Sequence, residues 1–357
     1  MLLVEQDIVD RTFAAAGINA VPSFSVILPV RNGWPYVQEC VESILAQTYP
    51  DFDLIVLDNQ STDNTVPWLK SRTDGRIRLY NSSSSLSIVD SWARAVGVEK
   101  REYMTLIGHD DVLDPDFLLT VNRTIERFPD AKLYQTGFRF IDTVGKTIRA
   151  CRPVPERETP AQYLEGRLTY QRDITGTGVV MRSSDHDRIG GIPHFERLFF
   201  ADDALWLSLM QGGYKAFDPA NLCAVRMHPR KESTTQPSAW PSLLCGLNQF
   251  EDFVEQYVRS DADARAAVTQ HAGSFMLRYH RNLYILALLE ACQLGRRIDA
   301  AVIDRLVTSL QRSQPAAAAS IRSSLPTKLV EALNASPIRR TALPLWEMYR
   351  RFWMHAE

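Results

Sequence analysis

Residues 25–65 read SVILPVRNGWPYVQECVESILAQTYPDFDLIVLDNQSTDNT, and their pattern indicates the class of fold. It opens within an apolar run of strand length, residues 24–28, which ends in a loop rich in Pro, Asn and Gly. A second apolar run, residues 53–57, predicts the next strand. Between them, apolar side chains recur at the spacing of about 3.6 residues that marks a helix with one buried face: Val37, Cys40, Val41, Ile44 and Leu45. Strand, helix and strand in this order indicate an α/β fold.

The same alternation continues along the chain. Residues 76–80 and 103–107 predict two more strands, with a helix between them at about residues 88–98. The expected fold is α/β, with a mostly parallel central sheet flanked by helices and joined by right-handed crossovers. The loops that follow its strands should meet at one edge, which is where open α/β sheets bind their ligands.

The character of the sequence changes near residue 239. Upstream, further strands are expected at residues 132–136 and 177–181, and a helix at residues 204–210. Downstream, long helical patterns dominate, notably at residues 266–294 and 301–311. We therefore expect a leader at residues 1–22, an α/β domain at residues 23–238 and a helical C-terminal region at residues 239–357.

Composition excludes several classes of protein. The 357 residues are 45% hydrophobic and 23% charged, values typical of globular proteins. Lys and Arg number 40 against 42 Asp and Glu, so the net charge of -2 offers no broad positive field and we expect no nucleic-acid partner. We find no signal-peptide pattern, no apolar run near the roughly 20 residues that span a bilayer, and no paired cysteines. A cytoplasmic protein with reduced thiols fits best.

The segment LIGHDDVLDPDFL, residues 106–118, places Asp110 and Asp111 directly after a buried strand. Two adjacent carboxylates are costly there unless a positive charge lies beside them. A hard divalent cation that binds one or two carboxylates together with substrate phosphates would balance their charge. Asp114, which precedes Pro115, resembles instead the N-cap of a helix. We expect Asp110 to bind a metal ion and Asp114 to cap the helix.

Polar residues also follow the second strand. The segment VLDNQSTDNT, residues 56–65, sets Asp58 and Asn59 at the carboxyl end of that strand. Their side chains can accept hydrogen bonds from a base or a ribose. The same cluster of Asp, Asn, Ser and Thr also suits turns and helix caps, so both interpretations stay open.

A second acidic pair, Asp202 and Asp203, stands just before an apolar helix. A carboxylate beside an acceptor hydroxyl could take its proton, whereas either aspartate could also simply cap the helix. Further along, VRMHPRK at residues 225–231 offers His228 for a metal site and Arg230 for a phosphate. A single histidine can equally be structural.

Together these segments resemble the family 2 glycosyltransferases with the GT-A fold. The similarity covers residues 24–229 and rests on the opening stretch, on the DD pair after a strand, and on ADDALWLSLMQGGY at residues 201–214. The resemblance implies an inverting enzyme that moves a single sugar from a UDP-, dTDP- or GDP-sugar to a glycan or lipid-linked acceptor, in cell-surface glycan assembly.

The resemblance also implies roles for individual residues. Asp202 would be the catalytic base that deprotonates the acceptor. Asp110 and His228 would hold Mn²⁺ or Mg²⁺ against the donor diphosphate, and His109 would lie near the ribose. The donor-binding set would be Pro29, Val30, Arg31, Asp58, Asn59, His109, Asp110, Asp111 and Arg230.

Several positions depart from the family pattern. Asn59 stands where a second aspartate is frequent, Gly108 replaces the first aspartate of a D-x-D-D motif, and Ala201 replaces a glutamate before Asp202. Trp92 and the following Ala stand where Arg-Asn is common. Two alternatives therefore stay open: a catalytically weak or inactive relative that binds nucleotide sugars or glycans, and a sugar nucleotidyltransferase.

The tail, residues 337–357, mixes arginines with aromatic residues. Such a helix could lie on an anionic membrane surface, near a lipid-linked acceptor. It could equally dock on its own domain or on a second subunit. We expect a cytoplasmic protein, with peripheral contact at the inner face of the membrane or a homodimer through the C-terminal helices as alternatives.

Overall fold

The computed structural model describes residues 22–227, residues 237–344 and Trp346. Within these residues ten strands form one sheet: β1 (Phe24–Val30), β2 (Phe52–Asp58), β3 (Ile77–Asn81), β4 (Tyr103–Leu106), β5 (Val112–Leu113), β6 (Leu133–Ile141), β7 (Thr147–Ala150), β8 (Arg157–Glu158), β9 (Val179–Arg182) and β10 (Lys215–Arg226). The helices before residue 227 are α1 (Tyr36–Leu45), α2 (Thr65–Lys70), α3 (Ile88–Ala93), α4 (Phe117–Arg127), α5 (Pro160–Leu168), α6 (Ser183–Arg188) and α7 (Ala201–Met210). Those after residue 237 are α8 (Trp240–Tyr257), α9 (Ala262–Gln293), α10 (Ala300–Ser313), α11 (Pro315–Ala318) and α12 (Leu325–Ala335).

Eight of the strands lie in the order β3-β2-β1-β4-β9-β6-β10-β5, while β7 pairs with β6 and β8 pairs with β10. The first four run parallel, with Val30 of β1 opposite Asp58 of β2 and Asp58 opposite Asn81 of β3. Their carboxyl ends therefore meet at one edge, as the alternation of strands and helices predicted. Beyond β4, strand β9 pairs antiparallel with both β4 and β6, while β10 runs parallel to β6. The predicted α/β class, with helices on both faces of the sheet, is confirmed.

Both faces of the central strands are buried, which explains why β1 and β2 are continuously apolar. Successive side chains of a strand point to opposite faces. Val26 and Val56 accordingly pack in a cluster with α1 and α4, whereas Ile27 and Ile55 pack in a second cluster. One regular pattern along each strand thus supplies two hydrophobic cores.

The second core continues into the C-terminal helices. The cluster that contains Ile27 and Ile55 also contains Phe250 of α8, Leu283 of α9 and Leu306 of α10. The described residues after 238 fold mainly into helices, as expected, and these helices share this core with the sheet. In the described part of the chain, no helix has both the length and the apolar character needed to cross a bilayer.

The sequence-based prediction for Asp114 is wrong. Helix α4 begins at Phe117, its N-cap residue is Asp116, and Asp114 instead forms an ion pair with Arg139 of β6. A local cap is worth about 1 kcal/mol, so a carboxylate that meets a guanidinium in a bidentate contact gains more from that partner. The helix expected at residues 88–98 is also shorter, because α3 ends at Ala93 and a 3-10 turn, Arg94–Val96, follows.

Candidate active site

A cleft of about 1050 Å³ lies at the edge where the parallel strands end. Most residues that the sequence singled out line it: Pro29, Val30, Arg31, Asn59, His109, Asp110, Asp111 and Asp202. They come from four separate segments of the chain, which the parallel strands and the start of α7 bring together. The chain thus places acidic groups from distant positions around one cavity.

Three of the predicted residues lie elsewhere or outside the described chain. Asp58 is 2% exposed and is not part of the cleft wall, and its carboxylate accepts hydrogen bonds from the Ser61 N–H at 3.3 Å. His228 and Arg230 lie outside the described residues. The roles assigned to all three stay predictions.

The loop between β1 and α1 forms one wall of the cleft and is held by the loop after β2. The Ser61 hydroxyl accepts a hydrogen bond from the Asn32 N–H at 2.8 Å, and the Thr65 hydroxyl accepts one from Gly33 at 3.0 Å. The Asp63 carboxylate accepts one from the Trp34 N–H at 2.9 Å. The polar cluster after β2 therefore braces a neighbouring loop, a role that a purely local turn or cap interpretation does not include.

Asn59 uses its side-chain amide within the protein. Its Nδ2 donates to the Leu86 carbonyl at 3.0 Å, and its Oδ1 accepts from the Leu86 N–H at 2.8 Å. These two hydrogen bonds fix the segment before α3. Ile88 and Trp92 of α3 also line the cleft. Asn59 therefore shapes the pocket, and Trp92 belongs to its wall.

Asp110 and Asp111 are adjacent in sequence but differ in burial and surroundings. Asp111 is 6% exposed, and its carboxylate accepts hydrogen bonds from the Thr177 hydroxyl at 2.5 Å and from the Arg226 N–H at 2.9 Å. Asp110 is only half-buried and faces the cleft. A Cβ on Gly108 would lie 2.9 Å from an oxygen of each carboxylate, so the glycine lets both side chains approach its backbone.

Arg226, at the end of β10, lines the cleft but did not stand out in the sequence. It is 1% exposed, its Nε donates to the Asp110 carbonyl at 2.8 Å, and its Nη1 donates to the Asp142 carbonyl at 3.0 Å. Its guanidinium also pairs with Glu39 and lies 4.7 Å from the centre of the Tyr36 ring. Its partners are far away in sequence, so no local motif marks the residue.

The acidic loop suits a hard divalent cation. Among the described residues, no group of three His, Cys, Asp or Glu side chains forms a closed metal site. Mg²⁺ and similar ions usually bind one or two carboxylates, substrate phosphates and water, which matches a cleft-facing Asp110 beside a structural Asp111. A diphosphate substrate would complete such a site.

Asp202 lies in the first turn of α7 and faces the cleft. Its carboxylate accepts a hydrogen bond from the Asp203 N–H at 3.0 Å. Burial disfavours its charged form, and the negative charge of Asp203 adds to this effect, so the pKa of Asp202 is raised from 3.8 to about 7. A carboxylate with such a pKa can accept a proton efficiently near neutral pH.

Asp203 points away from the cleft. It is 1% exposed, accepts a hydrogen bond from the Tyr163 hydroxyl at 2.8 Å and pairs with the Arg167 Nε at 3.0 Å. The N-cap residue of α7 is Phe200, which leaves Asp203 without a capping role. The two adjacent aspartates therefore have different partners, and Asp202 is the one at the pocket.

Part of this sequence is similar to known proteins. The family profile described as Glycosyl transferase family 2 matches residues 25–188. Glycosyltransferase GlyG of Streptococcus pneumoniae is 30% identical over 104 residues, which cover 29% of this chain and 35% of GlyG. An uncharacterized protein of Sinorhizobium fredii is 34% identical over 119 residues, 32% of this chain and 13% of that protein. The chain thus spans only a minor part of the length of these curated relatives.

Solved structures share the fold of this chain. TarS of S. aureus in complex with UDP-GlcNAc has a TM-score of 0.58 at 15% identity, with 92% of each chain covered. Mannosyltransferase PcManGT from Pyrobaculum calidifontis, in complex with GDP-Man and Mn2+, has a TM-score of 0.51 at 16% identity, with 91% of this chain and 88% of that chain covered. Because the identity is so low, these likenesses establish the fold alone.

Proposed function

We propose that this chain, whose residues 25–188 match the profile described as Glycosyl transferase family 2, transfers one sugar from a nucleoside diphosphate donor to an acceptor hydroxyl, with inversion of the anomeric configuration. The observation that carries the proposal is that Asp110 and Asp202 line the same cleft. In a single displacement, a carboxylate on the phosphate side can hold a cation that offsets the charge of the leaving group, and a base on the acceptor side can take the proton of the hydroxyl.

The donor end of the cleft lies at the carboxyl ends of β1, β2 and β4. The braced loop after β1 and the Asn59–Leu86 contact give this end a fixed wall for a nucleoside. Asp110, with His228 by family resemblance, would hold Mn²⁺ or Mg²⁺. The cation, when bound, offsets the charge of the diphosphate leaving group. Arg226 fixes the Asp110 backbone, which keeps the acidic loop in place.

Asp202 acts on the acceptor in this proposal. Its carboxylate takes the proton of the attacking hydroxyl as the new bond to the anomeric carbon forms and the bond to the diphosphate breaks. The reaction needs no covalent enzyme intermediate, because attack and departure occur in one displacement. Asp203 is bound to Tyr163 and Arg167 away from the cleft, so Asp202 is the member of this acidic pair that acts as the base.

The donor is proposed to be a UDP-, dTDP- or GDP-sugar, and the acceptor a glycan or lipid-linked glycan. Structural neighbours were solved with UDP-GlcNAc and with GDP-Man, which supports the nucleotide-sugar class. The cleft of about 1050 Å³ is at the upper end of the volumes of ligand pockets, which leaves space for donor and acceptor together. We place this reaction in cell-surface glycan assembly, in the cytoplasm or at the inner face of the membrane.

A donor-consumption assay tests the proposal. The protein is incubated with Mn²⁺, a panel of UDP-, dTDP- and GDP-sugars and simple glycoside acceptors, and nucleotide release is measured. Asp202→Asn should reduce release by at least about a hundredfold, the contribution typical of a general base, while donor binding survives. Asp263→Asn, at an exposed position of α9, is the matched control and should remain active.

Two outcomes would count against the enzymatic proposal. Binding of a nucleotide sugar without release of nucleotide under any condition would favour a non-catalytic relative. A fully active Asp202→Asn variant would remove the assigned base.

A further inference from the structure

A buried charged group lies directly behind Asp202. The Asp203 carboxylate accepts a hydrogen bond from the Tyr163 hydroxyl at 2.8 Å. The Arg167 Nε lies 3.0 Å from one oxygen of the same carboxylate and 3.2 Å from the other. Tyr163 and Arg167 are one turn apart on α5, so a single helix face holds both partners of Asp203.

The C-terminal helices close over this group. The guanidinium of Arg167 lies 5.0 Å from the ring centre of Phe200 and 5.3 Å from that of Phe275. Its Nη2 also donates to the Tyr279 hydroxyl at 3.4 Å. Phe275 and Tyr279 belong to α9, so this helix shields the ion pair from water. A charged pair shielded in this way interacts more strongly than one exposed to solvent.

The backbone that leads into α7 is conformationally demanding. Arg197, Leu198 and Phe200 have φ angles of 57°, 57° and 64°. These angles lie in the left-handed region of the backbone, which residues other than glycine rarely adopt. Such a conformation persists only where surrounding contacts determine it. Phe200 stacks on Phe250 of α8 with ring centres 4.5 Å apart and planes at 8°, which supplies one such contact.

We propose that Asp203, Arg167 and Tyr163 form a positioning group that holds the Asp202 carboxylate toward the cleft, and that the opposite charges of Asp203 and Arg167 together tune its ionisation. The proposal rests on the proposed function of Asp202 as the base. In this arrangement α5 and α9 act on the reaction indirectly, through their contacts with the positioning group.

The charges that face Asp202 act in opposite directions. After burial, the negative charge of Asp203 is the main cause that raises the pKa of Asp202, and the positive charge of Arg167 lowers it. The pKa of Tyr163 is raised well above its usual value by burial and then by Asp203, so its hydroxyl stays neutral and donates. Asp203 and Arg167 are therefore the two charges that set how readily Asp202 ionises.

The test is a titration of the Asp202 carboxyl carbon by ¹³C NMR, with the signal assigned by its loss in Asp202→Asn. Asp203→Asn removes the repelling charge and should lower the titration midpoint by roughly one pH unit. Arg167→Met removes the attracting charge and should raise it by a similar amount. The double variant Asp203→Asn/Arg167→Met should return near the wild-type midpoint.

Because Arg167→Met leaves a buried carboxylate without its cation, this variant could fail to fold. Arg167→Lys keeps the charge and should preserve the wild-type midpoint, while the double variant removes both buried charges and avoids that penalty. Circular dichroism melting of each variant confirms that the protein is folded before titration. Equal midpoints in all folded variants, or shifts of the same sign, would overturn the proposal.

Sugar transfer measured across the same pH range separates this proposal from the proposed function. If the wild type transfers sugar and its pH profile does not move in the folded variants, the positioning group is rejected. Opposite shifts of the NMR midpoint in a protein that transfers no sugar would support the charge pairing and reject the role of Asp202 as base.

Discussion

At the scale of single residues, Asp202 combines exposure to the cleft with a pKa raised to about 7 by burial and by Asp203. A general base must be ionised, so we expect the rate of sugar transfer to fall about tenfold for each pH unit below roughly pH 7 and to level off above it. Initial rates at saturating donor across this range test the expectation. A profile that is flat down to about pH 5 would contradict it.

The same pKa has the opposite consequence for stability. Asp202 titrates at about 7 in the folded protein and at 3.8 ordinarily, so between these values the folded state binds more protons than the unfolded state. The contribution of the neutral carboxyl to stability is therefore complete at low pH and is lost as the pH rises through about 7.

Asp202→Asn should accordingly melt about 2 to 8 °C above the wild type at pH 8, because Asn stays neutral. The gap should shrink toward pH 4, where Asp202 is also protonated. Differential scanning calorimetry at both pH values measures it. A gap that is equal at both pH values would show that the charge of Asp202 is not the cause.

Asp110 is the carboxylate of the acidic loop that faces the cleft, whereas Asp111 is hydrogen bonded to Thr177 and Arg226. Asp110→Asn should weaken Mn²⁺-dependent donor binding by roughly tenfold or more, since even the loss of an outer partner of a metal site has such an effect. Calorimetric titration of the nucleotide with and without Mn²⁺ measures the difference. Asp116→Asn, at an exposed aspartate between β5 and α4, is the control, and an equal loss there would contradict a metal role for Asp110.

At the scale of elements, the cleft wall depends on contacts between two loops. The loop after β1 supplies N–H groups, and the loop after β2 supplies the side-chain oxygens that accept from them. Asp63 serves both loops, because its carboxylate accepts from the Trp34 N–H at 2.9 Å and from the Thr65 N–H at 3.0 Å. The wall is therefore only as rigid as this set of hydrogen bonds.

Asp63→Ala should release the loop after β1, which would weaken nucleotide binding several-fold and lower the free energy of unfolding by about 0.5–2 kcal/mol, as for a lost helix cap. Calorimetry and chemical denaturation measure the two effects. The neighbouring Asn64→Ala provides the matched control, because Asn64 is exposed and makes no side-chain cap contact. If both variants bind nucleotide like the wild type, the loop does not need this brace.

At the scale of the whole molecule, the sheet and the C-terminal helices share one hydrophobic core. Phe200, at the start of α7, packs against Phe250 of α8 and lies near Phe275 and Tyr279 of α9. The helices therefore support both the sheet and the segment that presents Asp202.

A protein truncated after residue 238 should lose cooperative folding, because it would expose the apolar face that now packs against α8, α9 and α10. Thermal melting and size-exclusion chromatography compare it with the full chain. A truncated protein that melts cooperatively and still binds nucleotide would show that residues 23–238 form an independent unit.

Local patterns in the sequence indicated the α/β class, the succession of the first four strands along the chain and the residues at their carboxyl ends. These features follow from side-chain periodicity and from the parallel connection of strands, which act over short distances along the chain. For this reason the segments of Asp110 and Asp202 were identifiable in the sequence.

The contacts of each polar side chain depend instead on how the chain folds. Asp114 meets Arg139 rather than capping a helix, Asp203 is committed to Arg167, and Arg226 reaches partners as far away as Glu39. Neighbouring aspartates look alike in a sequence because their chemistry depends on burial and on charges from remote segments. Burial and short distances to remote charges arise only when the chain folds. They distinguish Asp202, which faces the cleft, from Asp203, which is buried beside it.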